Sequence, residues 1–312
     1  CSMTSLKILA DHPFSTTSIY TLIAFLERKW GVHFPMGGMG QLVKGLVGLI
    51  EGHNNRVVQN AEVRRITVDN GRATGIELAD GSLHRADIVV SNADTAWTYR
   101  HLVEPQHRRH WTDKRIERGR YSMSLFVWYF GTKKRFDGVP HHMMLLGPRY
   151  EGLLTDIFKR QHLAEDFSLY LHRPTATDPS MAPEGCDAFY VLSPVPHLGS
   201  GTDWAAHAET YRRAIEARLE ATVLPGLREQ IVTSRVTTPQ DFHDRLLSFK
   251  GAAFGLEPLL LQSAWFRPHN RSEDVQGLFM VGASTHPGAG VPGVLMSAKA
   301  LETVVPHVSS LA

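Results

Sequence analysis

Apolar and polar positions repeat with two different periods along this 312-residue chain. Residues 17–30, TSIYTLIAFLERKW, carry apolar side chains at helical spacing, and the run stops at Gly31. The next stretch, FPMGGMGQLVKGLVGLIEG, enters a glycine turn at Gly37-Gly38-Met39-Gly40. It then places Leu42, Val43, Leu46, Val47 and Ile50 on one face of a helix over about 41–50. Such a turn either holds an anion on its N–H groups or serves as a tight corner where side chains would clash. From 56 to 91 the period shortens to two. Strands are predicted near Val63–Val68 and Ala73–Leu78, joined by Asn70-Gly71, a favoured hairpin turn, with a second turn at Asp80-Gly81. Ile88 to Val90 is a short, wholly apolar run, the pattern of a strand covered on both faces in a parallel sheet. It ends in Ser91 and Asn92, where open α/β sheets place ligands.

A second unit begins near Met123. SMSLFVWYFG, DFSLYLHRP and AFYVLSPVP are strand-like and rich in aromatics. Phe126, Trp128, Tyr129, Phe130, Phe167, Tyr170, Phe189 and Tyr190 either form a core or line an apolar tunnel. Residues 141–160 carry Met143, Met144, Leu145, Leu146, Leu153, Leu154, Ile157 and Phe158 between basic ends. They read as core plus a surface helix, or as a segment that dips into lipid. Residues 204–223 form an amphipathic helix stopped at Pro225-Gly226, and a strand, QIVTSRVTTP, follows. The chain then returns to α/β character.

The fold class is therefore mixed α/β. Residues 34–95 and 275–312 are expected to be two parts of an incomplete Rossmann-like, FAD/NAD(P)-binding domain. Residues 96–274 are expected to be an inserted sheet-and-helix substrate domain, and residues 1–33 a helical segment of the substrate or membrane region.

Within GLFMVGASTHPGAGVPGVLMSAKA, residues 277–300, Leu278 to Val281 predict a buried strand. Gly282 to Gly290 predict a loop, and Pro292 stands in the first turn of a helix, where its missing N–H costs little. Residues 288–293, GAGVPG, match the glycine fingerprint of dinucleotide sites. The 19 residues after Gly293 read as one helix, which does not suit a first Rossmann turn, with its following strand and an acidic residue about 20 positions on. Gly288, Ala289, Gly290 and Gly293 would let a flat ligand approach the backbone. The helix N-terminus would stabilise negative charge on that ligand, as on the pyrimidine side of a reduced flavin, by about 1 kcal/mol or more. A purely structural strand–helix corner has the same spacing.

Composition changes this picture little. Apolar residues are 43% and charged residues 21%, with a net charge of +2, and no nucleic-acid partner is indicated. Basic residues cluster at Arg108–Arg120 and Lys133–Phe136, either as solvated surface or as contacts to an anionic membrane. Cys1 and Cys186 build no disulfide framework, and a reducing compartment fits. The 17 histidines form no H-E-x-x-H pattern. The pairs His107/His110 and His141/His142 read as surface residues, and no metal site is expected. Hydrolase signatures are absent as well: there is no G-x-S-x-G elbow and no Cys–His arrangement. No apolar run reaches the ~18 residues of a membrane span. The chain opens on Cys1 in what reads as the middle of a helical region, the mark of a piece of a longer protein.

VGASTHPGAGVPGVLMSAKA closely resembles the C-terminal FAD motif of bacterial phytoene desaturases, in the carotenoid-desaturase branch of the amine-oxidase-like flavoproteins. TSIYTLIAFLERKWGVHFPMGGMGQLV, SNADTAWTYRHL, GPRYEGLLTDIF, EDFSLYLHRPTATDPSMAPEGC, YVLSPVPHLG and QSAWFRPHNR also resemble segments of that family, in its order. The resemblance implies FAD as cofactor and a linear C40 polyene such as phytoene as substrate. It implies carotenoid biosynthesis by hydride removal to the flavin and loss of a neighbouring proton, with quinone or oxygen as final acceptor. It also implies a peripheral position at the cytoplasmic face of a bacterial membrane. Carried over by motif, the flavin contacts would be Gly282, Ala283, Thr285, His286, Pro287, Gly288, Ala289, Gly290, Val291, Pro292, Gly293 and Val294. Val63, in NAEVRRI, matches a position whose backbone contacts the adenine. No catalytic acid or base is assigned. The family's opening βαβ unit, with its own G-x-G-x-x-G and ribose-binding acid, has no counterpart in these residues, so the 312-residue piece alone is expected to bind FAD weakly or not at all, and to be inactive. Two rival functions stay open: a related flavin-dependent carotenoid isomerase, saturase or oxygenase, and a non-catalytic lipid-surface module.

Overall fold

A computed structural model of the chain describes residues 21–307. The expectations for residues 1–20, including the start of the helical segment, lie outside the described residues. In chain order the elements open with α1 (Thr21–Trp30) and α2 (Met39–Gly52), then β1 (Val63–Asp69), β2 (Arg72–Leu78), β3 (Leu83–Arg85) and β4 (Val89–Ser91). There follow β5 (Ser124–Thr132), β6 (His142–Leu145), α3 (Tyr150–Thr155), β7 (Leu169–His172), β8 (Asp187–Val195), α4 (Trp204–Thr222) and β9 (Ile231–Thr237). The last pair is β10 (Leu278–Met280) and α5 (Val291–Leu301).

The described chain divides into two compact units, residues 21–58 with 124–240, and residues 59–123 with 241–307. These boundaries differ from those drawn on the sequence. Residues 34–58 go with the large sheet, and residues 96–123 and 241–274 go with the strand–loop–helix corner.

In the first unit a five-stranded antiparallel sheet runs in the order β6-β7-β8-β5-β9. Register sorts its side chains by face, because successive residues of a strand point to opposite sides. Phe126, Trp128 and Phe130 of β5, Phe189 and Val191 of β8 and Leu171 of β7 share one face. They pack with Trp204, Tyr211, Ile215 and Leu219 of α4 in one buried cluster. Each fully buried Leu or Ile there contributes about 1.5–3 kcal/mol. Asp203 caps α4, its carboxylate accepting from the Ala205 and Ala206 N–H groups at 2.9 and 3.3 Å.

A buried charge network stands at the edge of this core. Arg173 and Asp187 are 3% and 0% exposed and meet at 2.9 Å. Every other arm finds a partner: Arg173 donates to the Val139 carbonyl and to Asp137, and Asp187 accepts from Thr175 Oγ1 and the Phe136 N–H. Burying the pair is tolerable because its hydrogen bonds are complete. The Arg173 N–H also donates to the His141 carbonyl at 2.8 Å, tying the end of β7 to the residue that enters β6.

The glycine turn before α2 answers the question its sequence raises. Gly37 and Gly38 both have φ of +81°, and the Gly37 N–H donates to Asp178 Oδ2 at 2.5 Å. The anion held there is a carboxylate of the chain itself. Beyond it, α2 buries none of its side chains. In the 141–160 segment Leu153, Leu154, Ile157 and Phe158 are buried, so its helical half is core, while Met143, Met144 and Leu145 are half-buried and Leu146 is exposed.

In the second unit β1, β2 and β3 form an antiparallel sheet, with Asn70 and Gly71 at positive φ in the first turn, as that hairpin requires. β4 pairs in parallel with β10, Val89 opposite Leu278 and Ser91 opposite Met280. Their core holds Ile66, Ala73, Val89, Tyr99, Trp111, Leu278 and Met280. Among the described residues no helix is long and apolar enough to cross a membrane.

Candidate functional site

The second unit carries the strand–loop–helix corner. β10 ends at Met280, the loop turns at Gly282 with φ +106°, and α5 begins after Gly290, whose φ is +93°. The corner is held by small polar side chains and backbone. Thr285 is fully buried and donates to the Gly282 carbonyl at 3.0 Å. Ser284 accepts from the Thr95 N–H at 2.8 Å, and Ser297 accepts from the Gly282 N–H at 2.9 Å. His286 Nδ1 bonds the Ala264 carbonyl at 2.8 Å, and the Arg267 guanidinium donates to the Ala283 carbonyl at 2.8 Å. The His286–Pro287 peptide bond is cis.

The two outer glycines of the helix start do different work. A Cβ on Gly293 would meet the Gly288 carbonyl oxygen at 2.6 Å, so the missing side chain lets the loop close on the helix. A Cβ on Gly290 would meet nothing within 4 Å. Gly290 also caps α5 without any side-chain hydrogen bond, and Val291 and Pro292 are exposed. Among the described residues the corner is therefore open at its helix end, with no side chain within 4 Å of a Cβ at Gly290. An uncapped N-terminus with room before it fits a flat anionic group.

The loop residues named from the sequence thus sit together: Gly282, Ala283, Thr285, His286, Pro287, Gly288, Ala289, Gly290, Val291, Pro292, Gly293 and Val294 are one contiguous loop and helix start. Their roles divide, since Thr285 and Gly282 build the corner while 288–294 present its open end. Val63 stands elsewhere. It opens β1 opposite Leu78, at the other end of the hairpin from the Gly71 carbonyl that accepts from the Gln276 N–H.

Asp94 is a residue the sequence reading passed over. It follows β4 beside Asn92, the neighbour that a Cβ on Gly282 would strike, and its carboxylate accepts from the Trp97 N–H at 3.1 Å. Burial pushes its carboxyl up to about 6, outweighing the lowering by backbone N–H groups and by the Arg267 charge. A carboxyl that titrates near neutrality at the carboxyl end of a parallel strand is a candidate proton holder.

The first unit presents a second polar surface, on the sheet face opposite α4. One residue from each of four strands lies in register across it: His142, His172, Tyr190 and Tyr129. Tyr170 joins them, sharing a 2.6 Å hydrogen bond with His142 Nδ1. This sorts the aromatic residues in question. Phe126, Trp128, Phe130 and Phe189 are core, with Phe167 packed against it, so none of these lines a tunnel. Tyr129, Tyr170 and Tyr190 remain available, Tyr129 at 44% exposure and the others half-buried.

His141 and His142 are half-buried rather than surface residues, and they converge with His172. Burial lowers the pKa of all three rings, that of His172 to about 3, with the neighbouring imidazoles adding to the shift for His142 and His172. The rings are neutral at physiological pH.

A family model, flavin containing amine oxidoreductase, matches residues 4–300. The chain belongs to this family. Membership brings the flavin cofactor with it, and the open helix end at Gly290 agrees with that. The chain is 50% identical over 303 residues to the neurosporene-forming phytoene desaturase of Cereibacter sphaeroides, covering 96% of this chain and 58% of that protein. It is 49% identical over 299 residues to the lycopene-forming phytoene desaturase of Pseudescherichia vulneris, covering 96% and 61%. The chain thus spans about three-fifths of the length of these curated relatives. Among solved structures it is similar to an oxidoreductase from Methanosarcina mazei, with a TM-score of 0.62 at 18% identity over 89% of this chain and 57% of that one. It is similar also to putrescine oxidase, with a TM-score of 0.55 at 15% identity over 86% and 53%. These two likenesses bear on the fold, which is that of the flavin amine oxidases.

Proposed function

We propose that the protein of which these residues form part is an FAD-dependent desaturase of a linear C40 polyene, phytoene or a close relative. The observation that carries the reading is the open, uncapped start of α5 at Gly290, on a loop leading from a parallel strand, in a member of a flavin-containing family. The names of the similar curated proteins support the substrate class. FAD, when bound, supplies the two-electron oxidant for removing hydrogen from the chain. The residues present supply the rest. Gly290 leaves room for a ring beside the backbone, Gly293 lets the loop close behind it, and the α5 N-terminus would stabilise negative charge there. The Asp94 carboxyl, its pKa pushed up to about 6, can take up and release a proton close to that pH. Quinone or oxygen as final acceptor belongs to the same proposal.

The proposal extends to a lipid surface. Met39, Val43, Leu46 and Leu49 of α2 are 44–62% exposed, a row of apolar side chains that lipid would cover, and an apolar polyene is delivered from lipid. Co-sedimentation of the protein with anionic vesicles, weakened by Leu46→Glu with Leu49→Glu, tests this part alone.

Activity is tested by joining the chain to the N-terminal segment of the Cereibacter sphaeroides relative and supplying phytoene and FAD. The expected product absorbs at longer wavelength, because each new double bond extends the conjugated system. A product of unchanged conjugation length would instead mark an isomerase, and vesicle binding without flavin uptake a lipid-surface module.

A further inference from the structure

Outside the glycine corner, the described residues bring chemistry-bearing side chains together at the edge of the large sheet. We propose that His141, His142 and His172 form a binding site for a divalent transition-metal ion of the zinc and copper class. One ring nitrogen from each histidine lies within 4.8 Å of the others. The Nδ1 atoms of His142 and His172 are 3.4 Å apart. Two imidazoles bound tetrahedrally to one ion at about 2.0–2.1 Å have their nitrogens about 3.4 Å apart. This pair stands at a ligand-pair spacing, and the third ring brings a nitrogen within 4.8 Å of both.

The surroundings fit the donor set. The Tyr170 hydroxyl lies 2.6 Å from His142 Nδ1 and 3.4 Å from His172 Nδ1. It has one proton and can donate to only one of them; it would give up its bond to His142 Nδ1 when that nitrogen takes a metal, and a water would fill the fourth position. His141 Nε2 is buried and has no hydrogen-bond partner among the described residues, while its Nδ1 bonds Thr177 Oγ1. A ring whose outer nitrogen is fixed by a hydroxyl and whose other nitrogen is unused is oriented as a metal ligand is. The Phe34 ring stands edge-on to His141 with centroids 4.8 Å apart, packing against one side of the group. The supports are rigid: His142 and His172 are cross-strand partners, and the Arg173 N–H holds the His141 carbonyl.

No H-x-x-x-H spacing announces this site. His141 and His142 are adjacent in sequence, and His172 is brought to them by strand register. The group contains no carboxylate, so imidazole-preferring ions, Zn²⁺, Cu²⁺, Ni²⁺ and Co²⁺, are favoured over Mg²⁺ and Ca²⁺.

The test uses the full chain without an affinity tag, stripped of metal, titrated with Zn²⁺ by calorimetry and with Cu²⁺ by electron paramagnetic resonance. The expected result is one saturable equivalent, with Cu²⁺ coupled to three imidazole nitrogens. His172→Ala should weaken Zn²⁺ binding at least tenfold, while His207→Ala, an exposed histidine of α4, should leave it unchanged. His141→Gln, at the half-exposed edge, provides the same comparison should His172→Ala fail to fold, and the Cu²⁺ spectrum of the unaltered protein needs no variant. Absence of saturable Zn²⁺ binding, nitrogen coupling from fewer than two imidazoles, or equal affinity in the His141→Gln and unaltered proteins would overturn the proposal.

Discussion

The two units make sites in opposite ways. The large sheet assembles its polar face from side chains, with His142, His172, Tyr190 and Tyr129 contributed by four strands in register. The corner between β10 and α5 is made by omitting side chains: Gly293 lets the loop close, and Gly290 leaves space before an uncapped helix. Sites of the first kind depend on charges and rings held in place. Those of the second kind depend on backbone that nothing obstructs. Substitutions should therefore act differently in the two units.

The largest effect is expected where a buried charge loses its partner. Asp187→Ala takes away the buried partner of Arg173, leaving it only the exposed Asp137 carboxylate, and should lower unfolding free energy by about 3 kcal/mol in urea titrations. A loss below 1 kcal/mol would mean that the network does not organise this edge.

Asp94→Asn in the corner should act with the opposite sign. The folded pKa of Asp94 lies above its usual value, so the native state binds the extra proton between about pH 4 and 6. Its contribution to stability is fully present at the acid end and is lost as pH rises through 6. The asparagine variant, which keeps a capping oxygen, should be more stable than the parent by about 2 kcal/mol at pH 7.5 and no more stable at pH 4. Equal stability differences at both values would show that the carboxyl is not perturbed.

Gly293→Ala comes next. Helix propensity alone makes alanine better than glycine by about 1 kcal/mol. Contact with the Gly288 carbonyl oxygen should reverse this and cost about 1–2 kcal/mol, measured by thermal unfolding. A stabilised variant would mean that the loop yields easily. The smallest effect is expected for Ser284→Ala, which removes the acceptor of the Thr95 N–H and should cost about 1 kcal/mol.

The same contrast decides what could be read from the sequence. The corner is local: 288–293 is one run of glycines, alanine and proline between an apolar strand and a helical pattern, so spacing alone located it. The β1–β2 hairpin was legible for the same reason, through Asn70-Gly71. The histidine group was not, because His172 is 30 residues from His142 and meets it only through antiparallel register. Nor did composition divide the aromatics of β5 and β8. Trp128 and Tyr129 are neighbours in sequence, yet one is buried under α4 and the other lies on the opposite face. The Gly37–Gly40 turn was ambiguous until Asp178, far along the chain, supplied its anion. Asp94 was hidden because its chemistry comes from burial, which no local pattern records.

Hydrogen exchange tests the central claim most directly. The chain, joined to the N-terminal segment of its Cereibacter sphaeroides relative, would be compared with and without FAD by amide exchange. Slowing of at least tenfold is expected over residues 288–294, the helix end proposed to receive the ring. Exchange in that loop that is the same in the loaded and empty protein, with FAD demonstrably bound, would contradict the account.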